Sequence, residues 1–218
     1  MKEAYKTIYE GGVGEIVVKK SRFIATVCPV ETEDAANELI EGLKKKYWDA
    51  SHNCSAFIVN PEQPILRCSD DGEPSKTAGR PMLDILIAHQ LMNLVVVVTR
   101  YFGGTLLGTG GLVKAYQSAT LEGLSQSIVI TKEPGIRTQI ITDYNMIGKL
   151  QYYINQEQLT LLSSSYTELV TLELLVPPDK YPAFIKKIAE LSNGSAILHE
   201  LGQVFFSVLG NDVILFEG

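Results

Sequence analysis

Hydrophobic and polar positions along this chain switch between two periods, and the switches outline its elements. Residues 15–19 (Glu-Ile-Val-Val-Lys) and 22–28 (Arg-Phe-Ile-Ala-Thr-Val-Cys) are short, rich in β-branched residues and separated by polar turn residues, which predicts a β-hairpin. Ala36, Leu39, Ile40, Leu43 and Tyr47 then recur at helical spacing behind Thr32, a good N-cap, with Glu33 and Asp34 in the first turn. Lys44, Lys45 and Lys46 close that helix, where cations complement the macrodipole, so they read as a solvated face rather than an RNA patch. His52-Asn53-Cys54-Ser55 leads into a strand at Ala56-Phe57-Ile58-Val59, and Pro61 and Pro64 bracket the turn to its expected partner, Ile65-Leu66-Arg67-Cys68. Met82, Leu83, Leu86, Ile87 and Leu91 form a helical stripe behind Pro81, ending at Asn93. His89, on the exposed side of that helix, has no evident partner and reads as structural. Leu94 to Thr99 is a continuous apolar run of strand length, the pattern of a strand covered on both faces and thus the central strand of a first domain.

After a further helical stripe (Leu112, Val113, Tyr116, Ala119, Leu124), the pattern restarts. Ile136 to Thr142 predicts a strand, Asp143 caps a helix bearing Ile147, Leu150 and Ile154, and Leu159 to Ser163 reads as another strand. Val170, Leu172, Leu174 and Val176 alternate in a longer strand, and Tyr181, Phe184, Ile185, Ile188 and Leu191 stripe a helix that stops at Asn193-Gly194. Ile197 to Val208 supplies the last strand, giving the order βαββαβ of a split βαβ unit. The break falls near Glu133-Pro134-Gly135, which predicts domains at 1–133 and 134–218. The apolar tail Val213-Ile214-Leu215-Phe216 should add a strand or dock on a neighbour.

Composition narrows the function. A chain of 218 residues that is 45% hydrophobic can bury two modest cores. Its formal net charge of −6 gives no bulk pull toward nucleic acid, so any RNA contact needs a local patch. Three cysteines without metal-ligand spacing argue against a disulfide framework or a zinc cage. No apolar run approaches the ~20 residues that span a bilayer and the first residues lack a signal-peptide core, so a cytoplasmic protein is expected. Residues 136–218 carry five basic and nine acidic side chains, a formal −4, with no catalytic constellation; His199 stands alone, and this part reads as a binding module.

Two polar, glycine-containing segments hold the candidate chemistry, Cys68 to Gly79 and Thr99 to Gly111. In the first, Asp70, Asp71 and Glu73 lie in a bend made by Gly72 and Pro74. They could hold a magnesium ion that keeps several waters, or accept backbone N–H bonds and cap the next helix; the calcium-loop spacing is not met. In the second, Arg100 and Tyr101 run into Gly103, Gly104, Gly108, Thr109, Gly110 and Gly111 at the start of a helix, an arrangement suited to anions, with Arg100 and Lys114 as contacts. The other reading is a tight strand-to-helix turn capped by Thr109. A P-loop is excluded because Thr109 stands where lysine is required, and the dinucleotide fingerprint fails at Val113. His52 and Cys54 share one side of a strand, either as a nucleophile pair or as a buried cysteine beside a hydrogen-bonded histidine.

Taken together, His52-Asn53-Cys54-Ser55-Ala56, Ser69-Asp70-Asp71-Gly72-Glu73-Pro74 with Thr77-Ala78-Gly79-x-Pro81, and Val97 to Tyr116 resemble the signature of the IMPACT family in its bacterial YigZ-like branch; Lys20 to Ala25 fits as well. Lys76 departs from it, since the family more often has glycine there. The resemblance implies an α+β fold of two domains. The first would be an α/β sandwich like the second domain of ribosomal protein S-five. The second would be ferredoxin-like, resembling the last domain of elongation factor G. It also implies a regulator of translation that binds RNA, the ribosome or a translation factor, since eukaryotic members are implicated in control of initiation. The contact would be a confined patch including Lys76, Arg80, Arg100 and Lys114, and no cofactor is required. The alternative is a hydrolase or transferase acting on an anionic or phosphorylated small molecule, with Asp70, Asp71 and Glu73 holding a metal such as Mg2+. A scaffold in which both turns are structural is the third reading. No nucleophile or general base stands out, and the oligomeric state is open.

Overall fold

The computed structural model describes residues 3–216. The chain divides into two compact units, Tyr5–Thr131 and a second that joins the residues before Tyr5 to those from Lys132 onward.

The first unit contains β1 (Tyr5–Glu10), β2 (Val13–Val18), β3 (Ser21–Pro29), α1 (Glu33–Lys46), β4 (His52–Val59), β5 (Ile65–Ser69), α2 (Gly79–Ala88), β6 (Leu94–Tyr101) and α3 (Gly108–Ser125). Five strands form a sheet in the order β2-β3-β6-β4-β5, antiparallel at every pairing. The apolar run at Leu94 is its central strand. Leu94, Val96 and Val98 pack with Phe23, Ala25, Val27, Cys54, Ala56 and Ile58 under residues of α2 and α3. Val95 and Val97 point the other way, into a core with Phe57, Val59 and the α1 residues Ala36 and Ile40. A strand buried on both faces has no polar side to show, which is why its sequence lacks alternation. Thr32 caps α1 as expected, accepting a bond from Ala35 N at 3.1 Å. Helix α2 stops at Ala88, short of Leu91 and Asn93, because Gln90 (φ 57°) and Asn93 (φ 55°) take left-handed conformations that end it.

The remaining elements are β7 (Ile128–Thr142), a single 3-10 turn at Tyr144–Met146, α4 (Ile147–Gln156), β8 (Thr160–Tyr166), β9 (Val170–Val176), α5 (Tyr181–Leu191), β10 (Ile197–Leu209) and β11 (Asp212–Phe216). Their sheet runs β11-β10-β7-β9-β8, and Ile140, Leu172 and Leu174 pack against Leu150, Ile154, Phe184 and Ile188 of the two helices. The order is βαββαβ with one strand added: the apolar tail folds back as β11 and pairs antiparallel with β10. Glu133-Pro134-Gly135 lies inside β7, a strand of 15 residues, where Pro134 stands opposite Phe205. Proline and glycine read as a break because one cannot donate to a ladder and the other weakens it, but a long strand tolerates both.

Candidate functional site

The antiparallel sheet of the first unit gathers the motif segments at one end. The pairings Arg22↔Tyr101, His52↔Arg100 and Ser55↔Ser69 bring the β2–β3 turn, the end of β6, the start of β4 and the end of β5 to the same edge. Helix α1 ends there, while α2 and α3 begin there.

The acidic turn is a hydrogen-bond hub. Asp70 Oδ2 accepts from Lys76 N at 2.7 Å, and its Oδ1 accepts from Ala78 N at 3.0 Å and Gly79 N at 2.8 Å. Asp70 therefore supplies the cap for α2 that Ala78, at the N-cap position, cannot. Asp71 Oδ2 accepts from Asn53 N at 2.7 Å, and its Oδ1 lies 3.3 Å from Lys44 Nζ. Glu73 points inward: Arg100 Nη1 donates to its Oε1 at 2.5 Å and the Tyr116 hydroxyl donates to the same oxygen at 2.8 Å. The three carboxylates thus face different partners. Among the described residues no group of three or more His, Cys, Asp or Glu side chains is arranged to hold a metal.

Behind Glu73 the polar network continues into the core. Cys54 Sγ lies 3.0 Å from Asp70 O and 3.3 Å from the Tyr116 hydroxyl. Burial pushes the Cys54 thiol and the Tyr116 phenol well above their ordinary values, with the Glu73 charge adding in the same direction. A thiol held protonated is a poor nucleophile, and no contact joins it to His52. Instead the His52 ring sits 2.9 Å from Asp71 O through Nδ1; a carbonyl only accepts, so Nδ1 carries the proton and Nε2 faces Glu73 Oε2 at 3.9 Å. Asn53 turns to the opposite face, where its Oδ1 accepts from Thr99 Oγ1 at 2.7 Å.

The second segment divides its residues differently from the sequence expectation. Arg100, expected to meet an anion, is buried; its guanidinium lies 5.4 Å from the Phe23 ring and 5.7 Å from the Phe102 ring, and its Nε has no hydrogen-bond partner. Thr109 does not cap α3: the N-cap is Leu107, without a side-chain bond, and Thr109 is exposed in the first turn. Tyr101 donates to Asp49 Oδ1 at 2.9 Å, and the Arg22 guanidinium stands 5.7 Å from its ring. At Gly103 a Cβ would collide with the backbone of Lys20 and Ser21, so this glycine lets the loop lie against the β2–β3 turn. Gly104 and Gly108 have positive φ, whereas Gly110 lies in the first turn of α3 with open space around its Cα. Lys114 is exposed, and Arg80 is exposed and paired with Asp84 at 2.8 Å. Lys76 has φ 63°, the left-handed conformation that glycine adopts without strain, and this explains why glycine suits that position.

What the linear reading missed is the distribution of charge. Within Tyr5–Thr131 every Lys and Arg except Lys6 and Arg67 stands at the end just described, including Lys19 and Lys20 in the β2–β3 turn and Lys44 to Lys46 at the end of α1. Glu31, Glu33, Asp34, Glu62 and Glu122 lie toward the other end. Lys19, Lys20, Lys45, Lys46, Lys76 and Lys114 have no ion-pair partner among the described residues. The signal was available once strand ends were paired, because basic residues cluster at alternate turns and are sparse between them. Trp48, 83% exposed between α1 and β4, also went unremarked.

The sequence matches the Impact N-terminal domain over residues 19–124, and a second domain of unknown function, DUF1949, over residues 140–195. It is 40% identical over 200 residues to IMPACT family member YvyE of Bacillus subtilis, covering 92% of each chain. To IMPACT family member YigZ of Escherichia coli it is 35% identical over 180 residues, covering 82% of this chain and 88% of that one. A solved structure known as "Crystal structure of an hypothetical protein" superposes with a TM-score of 0.59 at 32% identity, covering 93% of this chain and 99% of that one. With 92% of its length aligned to a family member, the chain belongs to the IMPACT family.

Proposed function

We propose that this protein regulates translation in the cytoplasm by binding RNA of the ribosome through the basic end of its first unit. One observation carries the reading: a chain of net charge −6 places six exposed lysines, without ion-pair partners among the described residues, at one end of a sheet. The acidic groups at that end are engaged. Asp70 and Asp71 accept backbone N–H bonds, Glu73 is buried against Arg100, and Asp49 accepts from Tyr101. The surface is locally positive, and phosphate contacts by such lysines release counterions from nucleic acid. Family membership supports the translational setting, because the resemblance includes members implicated in control of initiation.

Co-sedimentation with purified ribosomes tests the reading. Retention at about 50 mM salt should fall steeply by about 200 mM, and the pair Lys45→Glu with Lys114→Glu should abolish it while the circular dichroism spectrum stays unchanged. Equal recovery of wild type and variant in the ribosomal pellet would remove the reading.

A further inference from the structure

The basic end carries aromatic surface as well as charge. Trp48 is 83% exposed and Phe102 is 49% exposed. Trp48 is the most exposed of the large aromatic side chains among the described residues. The loops that carry them are tied together by a set of bonds: Ser51 N donates to Arg100 O at 2.9 Å, Phe102 N to Ser51 Oγ at 3.3 Å, and the Tyr101 hydroxyl to Asp49 Oδ1 at 2.9 Å. Asp49 follows Trp48 directly and Tyr101 precedes Phe102, so the two residues belong to adjoining loops of one rim. Neither loop is free to fold away. Phe102 stands over the Arg100 guanidinium at 5.7 Å, and Arg100 is anchored in turn by Glu73. Lys19 and Lys20 flank the Phe102 side, because Gly103 N donates to Ser21 Oγ at 3.1 Å, and Lys45 and Lys46 lie two or three residues before Trp48.

Charge alone would suit any polyanion. Interleaved exposed aromatics do not help with a duplex, whose bases are stacked inside, but they offer faces for the bases of a single strand. We infer that Trp48 and Phe102 form a stacking platform for unpaired bases, flanked by lysines that hold the backbone, so that the partner is single-stranded RNA. This inference rests on the reading proposed above and specifies the form of RNA.

Trp48 is the sole tryptophan of the chain, so its fluorescence reports on the site directly. The probe is an oligouridylate of about twelve nucleotides, within the range of single-strand site sizes. At low salt it should quench the emission, and anisotropy with a labelled oligomer should show Trp48→Ala and Phe102→Ala each weakening binding about tenfold. An RNA duplex of equal length should bind more weakly than the single strand. Unchanged oligomer affinity in both variants overturns the platform while leaving ribosome retention as a separate result. Quenching by polyglutamate equal to that by oligouridylate also overturns it, and assigns the surface to an acidic protein. If ribosomes are not retained at all, the proposed function falls first.

Discussion

Glu73 and Arg100, 27 positions apart in sequence, are buried together as an ion pair, with Arg100 Nη1 2.5 Å from Glu73 Oε1 and both side chains nearly inaccessible. This pair fastens the acidic turn to the end of the central strand, and the Tyr116 hydroxyl on the same carboxylate oxygen adds α3 to the junction. A buried pair contributes little net stability against an apolar replacement, but removing one partner strands a charge in the core. Glu73→Gln and Arg100→Met should therefore each lower stability by about 3–5 kcal/mol in urea unfolding, and the double variant should lose less than the sum. Additive losses would mean that the two groups do not interact in solution.

The same junction shows what sequence can reveal and what it cannot. Element types followed from periodicity: the hairpin at Val13, the helix behind Thr32 and the doubly covered strand at Leu94 are all present. The two polar segments were legible as a pair because glycine, proline and carboxylates punctuate a strand-to-helix passage. Side-chain direction was not. Arg100 shares the inward parity of Val96 and Val98, which a reader attentive to alternation along β6 could have used, but the neighbouring glycines suggested an open loop. Nor does sequence say that Glu73, third of three nearby carboxylates, turns inward while Asp70 caps a helix; that choice depends on Cys54 and Tyr116, distant in the chain.

Lys76 occupies a left-handed position at φ 63°, where an L side chain costs about 1–2 kcal/mol relative to glycine, offset by the glycine's extra unfolded-state freedom of about 0.5–1 kcal/mol. Lys76→Gly should thus raise stability by up to about 1 kcal/mol. A thermal melt a few degrees higher, with ribosome retention measured beside it, checks both the strain and the loss of one cation. A lower melting temperature would show that the lysine side chain stabilises the turn by more than the strain costs.

Alkaline pH should loosen the first unit. Burial raises the folded-state pKa of Cys54 above the ordinary thiol value of 9.0, and that of Tyr116 above the ordinary phenol value of 10.0. A raised folded pKa means that the unfolded chain releases its proton first, so this contribution is fully present below about pH 8.5 and is lost as pH rises beyond it. The slope should approach about 1.4 kcal/mol per pH unit for the thiol alone, steepening above about pH 10 when unfolded tyrosine ionises. Urea midpoints followed from pH 7 upward should fall less in Cys54→Ala than in wild type once pH exceeds about 8.5. Parallel curves would place the alkaline sensitivity elsewhere.

The glycines before α3 should answer differently to the same substitution, because they serve different needs. At Gly103 an added methyl would overlap the backbone of Lys20 and Ser21, which cannot rotate away, so Gly103→Ala should cost at least about 2 kcal/mol and part the loop from the β2–β3 turn. At Gly110 the methyl meets nothing within 4 Å, the backbone is helical, and alanine is the better helix former by up to about 1 kcal/mol, so Gly110→Ala should be neutral or stabilising. Stability then separates from binding. If Gly110→Ala keeps its melting temperature yet weakens ribosome retention, the start of α3 approaches the partner closely enough for one methyl group to matter. If retention is unchanged, the contact is confined to the lysine and aromatic rim, and the glycine there reflects no demand of the partner.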